Sequence, residues 1–581
     1  MQSEALRAPG AARLVGQPRF DDEARAVALV RSQAPLRRDL ARIAGRLVAT
    51  RGWERLGFAR PTDYARERLG LSARQLQELA HIDACLERLP AVEAAFVAGA
   101  LTWTKARLLC RVATAEDEVR WIAFARTTTA RELSREVRAV DRGSLEADAL
   151  DETDEDGADA GPRETVQIRC TRTVQAQWWR ARQLAPRAAG EALPPWACME
   201  AVVAEVLSAI PLDADPSDPE PAAPDARAPD PVGAAYACAA NGPADAVAPF
   251  AEQPASVGSL VEGLAAADAF ELDTRLRRAV ALEQRLWAEA SPPLAAVARR
   301  RAYLARGHRS MEEWARERLG ISPRKLRALL RLERAGAACP ALLAAYREGR
   351  LSWVQAHALV AIVLLDESEP WREAWIRWAE RVSVRRLEED VDRALVLREL
   401  EPPQAERPVQ RERQTGAHAI ASEASPETSC FVFTAPREVA LFIRAAICTV
   451  RKHIERRTGR LPTAGEAVAA MIEHAFDTWG VNDPHVAREH RVFARDTWRC
   501  TVPGCSSFRN LQDHHVVFRS AGGSEDLSNR TTLCAWHHQR GVHAGRVRCT
   551  GRAPDGLRFD LGLRADRAPL VSYGSGDILM T

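Results

Sequence analysis

An internal repeat constrains this chain more than any other feature. Tyr64-Ala-Arg-Glu-Arg-Leu-Gly-Leu-Ser reappears as Trp314-Ala-Arg-Glu-Arg-Leu-Gly-Ile-Ser, an offset of 250 (314 − 64). The offset holds through Pro90/Pro340, Gly99/Gly349, Leu101/Leu351 and Trp103/Trp353, then becomes 254 (375 − 121) at Trp121-Ile122 and Trp375-Ile376. Apolar residues recur at i, i+3, i+4 and i+7 in both copies, with Pro or Gly between segments, which predicts helices. Each copy is followed by a strand-like run, VQIRC at 166–170 and CFVFT at 430–434, and then by a helical pair. A duplicated unit of this kind packs either as a pseudo-symmetric pair or as two beads.

The chain has 581 residues, more than one ordinary core accommodates. The organisation expected from composition is a disordered N-terminus (1–20), helical repeat 1 (21–145), an acidic linker (146–163) and the strand plus helices of repeat 1 (164–211). An Ala/Pro/Asp-rich disordered linker (212–260) leads to helical repeat 2 (261–400), a further linker (401–427) and the strand plus helices of repeat 2 (428–480). A C-terminal domain (481–564) and a tail (565–581) complete it. The linkers are too polar or too poor in large apolar residues to offset chain entropy. The expected class is multidomain and mainly α, ending in a small α+β domain.

Within each repeat a short helix meets a Gly turn, and Ser72 or Ser322 then caps a second helix. Helix, turn and capped helix outline a helix-turn-helix at 61–84 and again at 311–334. The following LERLPAVEAAFVAGALTWTKARLL resembles the corresponding helices of ParB-type partition proteins. That resemblance implies that Arg74, Gln75, Arg324 and Lys325 open recognition helices and face DNA. Plain helical packing explains the same pattern.

Net charge is only +2, so the chain as a whole is no polybasic coat. Charge is local: residues 483–564 hold 13 basic against 8 acidic residues, as a phosphate-binding module requires. No run of about 18 apolar residues exists to span a membrane, and the first twenty residues lack a signal-peptide core. Eight of the 12 cysteines are scattered singly from Cys85 to Cys448, as buried thiols in a reducing compartment would be. A cytoplasmic protein is the expectation, with no membrane partner; a homodimer is compatible with the sequence.

The other four cysteines are Cys500, Cys505, Cys534 and Cys549, and they lie among histidines. Cys500-x4-Cys505 and Cys534-x2-His537 form two short ligand pairs, each able to present two side chains to one tetrahedral ion, which points to a structural Zn²⁺ site. Cys549 has no assigned part. Between the pairs, 511–518 reads as a strand carrying adjacent His514 and His515, whose side chains face opposite ways. A turn at 521–524 follows. Thr531 to His538 reads as a helix that returns His538 toward the strand.

The whole segment, about residues 488–545, resembles the HNH endonuclease family in its Cys pair, His-His, Gly-Gly, Asn and Leu-Cys-x-x-His-His. With the preceding repeats, the chain is similar to multi-repeat HNH proteins of high-GC bacteria. The resemblance implies a ββα-metal fold and hydrolysis of DNA phosphodiester bonds. Carried over position by position, His515 is the general base, Asn529 holds it, and His514 and His538 bind a catalytic divalent ion. His543 comes five residues after His538 where many members have four, so it is only a conditional third ligand. Cys500, Cys505, Cys534 and His537 take the structural zinc. With imidazole ligands, Mn²⁺, Ni²⁺ or Zn²⁺ suits the catalytic position as well as Mg²⁺. Arg519, Arg540 and Arg546 are candidates for clamping phosphates. The alternative is a non-catalytic, zinc-stabilised nucleic-acid-binding or scaffold protein.

Overall fold

A computed structural model describes residues 21–141, 163–190, 193–209, 260–403, 429–480 and 490–580. The expected N-terminal disorder (1–20) and most of the three linkers lie outside the described residues. The protein is mainly helical, with a few short strands.

The first copy contributes α1 (Asp21–Arg31), α2 (Ala34–Ala49), α3 (Gly52–Arg55) and α4 (Pro61–Tyr64). α4 runs into a wider-wound turn, Ala65–Leu69, that stops at left-handed Gly70. α5 (Ala73–Leu86), α6 (Pro90–Val97), α7 (Trp103–Val112), α8 (Glu118–Thr127) and α9 (Ala130–Asp141) follow. Then come β1 (Arg163–Cys170), α10 (Arg172–Ala189) and α11 (Pro195–Ala209). The second copy opens with one long helix, α12 (Ala269–Arg300), where the first has two. It continues with α13 (Met311–Trp314), the wide turn Ala315–Leu319, α14 (Pro323–Ala338), α15 (Pro340–Arg347), α16 (Trp353–Val363), α17 (Arg372–Arg381) and α18 (Val384–Leu397). β2 (Ser429–Pro436), α19 (Arg437–Thr458) and α20 (Ala464–Thr478) close it.

The copies form an interlocked pair, and the repeated motif is the clasp. Tyr64 Oη donates to Asp273 Oδ1 at 3.2 Å, and Arg68 reaches the same carboxylate at 2.6 Å. Reciprocally, Trp314 Nε1 donates to Glu23 Oε1 at 3.3 Å, with Arg318 4.0 Å from it. Glu67 accepts from the N–H groups of Val384 and Arg385 at 2.7 and 2.9 Å, capping α18 of the other copy. Glu317 accepts from Ala130 N–H at 2.7 Å, at the start of α9. A carboxylate at a helix start satisfies donors that the helix itself cannot. The helix-turn-helix outline at 61–84 and 311–334 is present in element order, with its turn built into this clasp.

The two strand-like runs pair with each other. β1 and β2 form an antiparallel ladder, with Val166 opposite Phe433 and Ile168 opposite Phe431. The inward residues pack on α10, α11, α19 and α20 in one core around Trp178, Phe431 and Met471. The segments 164–211 and 428–480 therefore build one composite layer, because neither two-helix piece has a second strand of its own to cover it.

The C-terminal unit holds the helix Arg491–Arg495, β3 (Leu511–His515), β4 (Arg530–Cys534), a helix at Trp536–Val542, and a sheet of β5 (Val547–Arg552), β6 (Gly556–Leu561), β7 (Val571–Gly574) and β8 (Ile578–Leu579). Two expectations change here. Thr531–Cys534 is strand β4, not the start of a helix: its threonines suit a pleated edge, and it pairs with β3 in register, His514 opposite Thr531. The segment expected as a tail from 565 carries β7 and β8, which complete the sheet; Tyr573 is buried against Phe559. Cys500, Cys505, Cys534, Val547 and Phe559 share one apolar core with Leu40, Leu47, Leu56 and Leu69 of the first copy and Phe270 and Leu276 of the second.

The clasp requires close approach at two glycines. A Cβ on Gly70 would lie 2.5 Å from Ser352 Cβ, and one on Gly320 would lie 2.4 Å from Thr102 Cβ. Gly349 is also left-handed (φ +77°) but has open space around it. Gly320→Ala is expected to cost at least about 1 kcal/mol more than Gly349→Ala, since both carry the left-handed strain and only the first adds a clash. Paired urea unfolding midpoints measure the difference.

Candidate metal centres of the C-terminal unit

The loop from Cys500 to Ser507 folds back so that Cys500 N–H donates to Ser507 O at 2.9 Å and Cys505 N–H to Val502 O at 3.1 Å. Gly504 takes φ +74°, and a Cβ there would meet Glu67 Cγ at 2.6 Å. Cys534 ends β4, and the next helix brings His537 back beside it. His537 Nδ1 lies 3.5 Å from Cys500 Sγ and 3.4 Å from Cys534 Sγ. The ligand atoms of Cys500, Cys505, Cys534 and His537 all lie within 4.8 Å of one another, and all four residues are buried. This cluster could hold a metal ion, and three sulfurs with one imidazole nitrogen at tetrahedral spacing suit zinc.

The surroundings fit such an ion. His537 Nε2 faces Gly57 O at 3.2 Å, which fixes the tautomer that turns Nδ1 toward the sulfurs. Main-chain N–H groups reach the sulfurs, Ser507 to Cys505 at 3.4 Å and His537 to Cys534 at 3.5 Å. Burial disfavours charge on His537, yet Cys500 and Cys534 push its pKa up to about 10. A divalent cation would serve the thiolates directly and leave the imidazole neutral.

The second cluster is His514, His538 and His543, again with ligand atoms within 4.8 Å of one another. The helix after β4 explains the odd spacing. It is wound with i→i+5 bonds, and His543 N–H donates to His538 O at 3.1 Å. Such a turn stacks residues five apart, whereas an α-helix stacks residues four apart. His538 and His543 thus sit side by side, Nε2 to Nε2 at 3.3 Å. His538 Nδ1 meets Gln512 Oε1 at 2.7 Å, which leaves Nε2 for the cluster. His514 is buried, and neither ring nitrogen has a hydrogen-bond partner among the described residues. Such an orphan costs about 1–3 kcal/mol unless something binds it. Burial, then the neighbouring His538, His543 and His515, holds its pKa down at about 4, so the ring is neutral and able to donate a lone pair. Phe518 stacks on His543 with ring centroids 5.1 Å apart and borders His514 at 5.7 Å, closing one side.

His515 points to the other face of β3. Its Nε2 lies 3.3 Å from Glu525 Oε2 and 3.4 Å from Arg519 Nε. Arg519 and exposed Glu525 are themselves paired at 2.6 Å, which draws the Glu525 carboxyl below its usual range. Asn529 does not bond the His515 ring. Its Oδ1 accepts from Val517 N–H at 2.8 Å, and its Nδ2 donates to Val517 O and Ser524 O at 3.1 and 2.8 Å. It thereby shapes the loop between β3 and β4, and Gly523 is needed there because a Cβ would lie 1.8 Å from Val517 O.

The arginines fall in different places. Arg540 is exposed on the helix beside the histidines. Arg546 turns back to Glu54 of α3 at 3.6 Å. In the repeats, Arg324 is exposed, Arg74 is half-buried, and Gln75 is engaged in a capping box with Ser72. Lys325 sits with its ammonium 3.5 Å above the Trp353 ring.

Residues outside the motif complete the cysteine loop. Arg385 of α18 is buried and donates to Cys500 O, Val502 O and Cys505 O at 3.3, 3.2 and 2.5 Å, and to Asp577 Oδ2 at 2.5 Å. Arg499 pairs with Glu389, also of α18; against the cost of burial, this holds the Glu389 carboxyl down at about 2. The signal for Gln512 was present in the period of the strand, two residues before His514 on the same face. Nothing local marked Arg385, which is 115 residues from Cys500.

No protein family, curated protein or solved structure matches this chain. No helix among the described residues is long and apolar enough to cross a membrane.

Two separate clusters predict separable metal contents. Cys534→Ser is expected to lose about one equivalent of bound zinc and to melt the C-terminal unit early, whereas His514→Ala keeps that equivalent. Elemental analysis of dialysed proteins, read beside thermal unfolding, checks both outcomes.

Proposed function

We propose that the C-terminal unit is an HNH-type, metal-dependent endonuclease that hydrolyses DNA phosphodiester bonds, and that the duplicated helical body positions it on its substrate. The observation that supports this reading is the neutral, unpartnered His514 converging with His538 and His543 directly behind strand residue His515.

A divalent cation held by these three imidazoles would supply Lewis-acid stabilisation to a phosphate oxygen and to the leaving O3′. The donor set admits Mn²⁺, Ni²⁺ or Zn²⁺ as readily as Mg²⁺. The protein's own groups do the rest. Arg519 Nε and Glu525 Oε2 both face His515 Nε2, at 3.4 and 3.3 Å. A substrate phosphate arriving at Arg519 competes with Glu525, because an arginine fork binds either anion. His515 Nε2 then takes the proton of the attacking water, the general-base work that imidazole most often does in enzymes. Asn529 keeps the 517–524 loop, which carries Arg519, in register with β3.

Nicking of supercoiled plasmid across a series of Mg²⁺, Mn²⁺, Ni²⁺ and Zn²⁺ tests the reading. His515→Ala is expected to slow nicking about 10²–10⁴-fold with the fold intact by circular dichroism. Plasmid left supercoiled under every metal, with DNA still bound, would instead favour a non-catalytic zinc-stabilised binding protein.

A further inference from the structure

A second cationic feature lies on the same unit, away from the motif residues. β5, the loop after β6 and short helix α3 of the first copy surround an open depression of about 630 Å³. Arg55, Arg548, Arg564 and Arg567 line it, against a single carboxylate, Asp566. The charge is built in. Arg564 and Arg567 face each other across a tight turn, joined by a backbone bridge, with Asp566 in the left-handed region at φ +55°. The Arg564 guanidinium lies 4.4 Å from the Phe270 ring centroid, and its Nε is buried with no hydrogen-bond partner. Arg548 shares Asp560 with Arg558, so two guanidiniums divide one carboxylate. Arg55 and Arg567 are exposed.

We propose that this depression binds the phosphate backbone of double-stranded DNA beside the segment being cut. The inference rests on the nuclease reading for the choice of DNA. Like charges gathered with too few counter-charges call for an anionic ligand, and arginine forks match phosphate oxygens. The depression is open and polar, and no aromatic side chain among the described residues lines it. It offers nothing for a base to stack on, so it suits a duplex, whose bases are already stacked, better than a single strand or a mononucleotide. Gly545 lines it two residues after His543, so the chain leading out of the histidine cluster runs along its edge. Arg55 makes the site a joint product of the repeat body and the C-terminal unit.

The test is fluorescence anisotropy of a labelled 30-base-pair duplex with full-length protein in a His515→Ala background, across a salt series. Arg55→Gln/Arg567→Gln is expected to weaken binding about tenfold and to reduce the slope of log affinity against log salt by about 2, whatever the duplex sequence. Arg456→Gln/Arg457→Gln, on the exposed end of α19, serves as the charge-matched control. Equal affinity and slope for the two double variants would overturn the phosphate site, and would do so even if the wild type nicks plasmid. Loss confined to Arg55→Gln/Arg567→Gln supports it, even if no metal supports nicking. Tighter, equally variant-sensitive binding to duplex RNA of the same sequence would overturn the assignment to DNA.

Discussion

One helix start joins the parts of this protein: α18 receives the buried Glu67 carboxylate on its first N–H groups and sends the buried Arg385 guanidinium into the cysteine loop. The Glu67 side chain is 1 % exposed and caps α18 through the N–H groups of Val384 and Arg385. Burial raises its pKa, while Arg66 and those two main-chain donors pull the other way. The Arg385 side chain continues from the same helix start into the Cys500–Cys505 loop, where it occupies three carbonyl oxygens. Without it those oxygens would be buried without donors, and Asp577 would lose its ion pair. Removing one partner of such a buried pair costs about 3–5 kcal/mol in other proteins. The first copy, the second copy and the cysteine loop are thus joined at one point, and three cysteines of the Cys/His cluster belong to a core shared with both copies, not to a separate bead.

The duplicated motif has kept one role and acquired a second. In both copies its aromatic residue and second arginine address an acid on the opposite first helix, and its glutamate caps the opposite late helix. Only the first copy also carries the C-terminal unit. Glu67 presses on Gly504, Arg66 donates to Gly504 O at 3.1 Å, and Asp63 accepts from Ser506 Oγ at 2.7 Å. The charged helix that meets the cysteine loop differs as well: α18 brings Arg385, Glu388 and Glu389, and the corresponding positions of α9 (131, 134 and 135) are Arg131, Ser134 and Arg135.

Much of this was legible in the sequence because periodicity and spacing are local. The helices, the capping serines, the two strand-like runs and the two ligand pairs all declare themselves within a dozen residues. Three things did not. The partner of each clasp residue is about 200 residues or more away, so nothing local showed that the turn of the helix-turn-helix outline packs against the other copy. Thr531–Cys534 contains too few residues for period 2 to be told from the start of a helix, and only pairing with β3 decides it. The five-residue step from His538 to His543 departs from α-helical spacing, and the wider winding nevertheless sets the two rings side by side. Asn529 was expected to hold the His515 ring, and its bonds go to the loop backbone instead.

The pairing of β1 with β2 sets an order of events during synthesis. Val166 and Phe433 are 267 residues apart (433 − 166). At about 5–20 residues per second, roughly 13–53 s separate their emergence from the ribosome. Throughout that interval β1 has an unpaired edge, and the apolar faces of α10 and α11 have no cover. Contacts this distant also raise the loop entropy to be overcome before any reward is felt. The nascent first half is therefore the stretch of the protein's life in which chaperones, proteases and neighbouring chains have their best access to it.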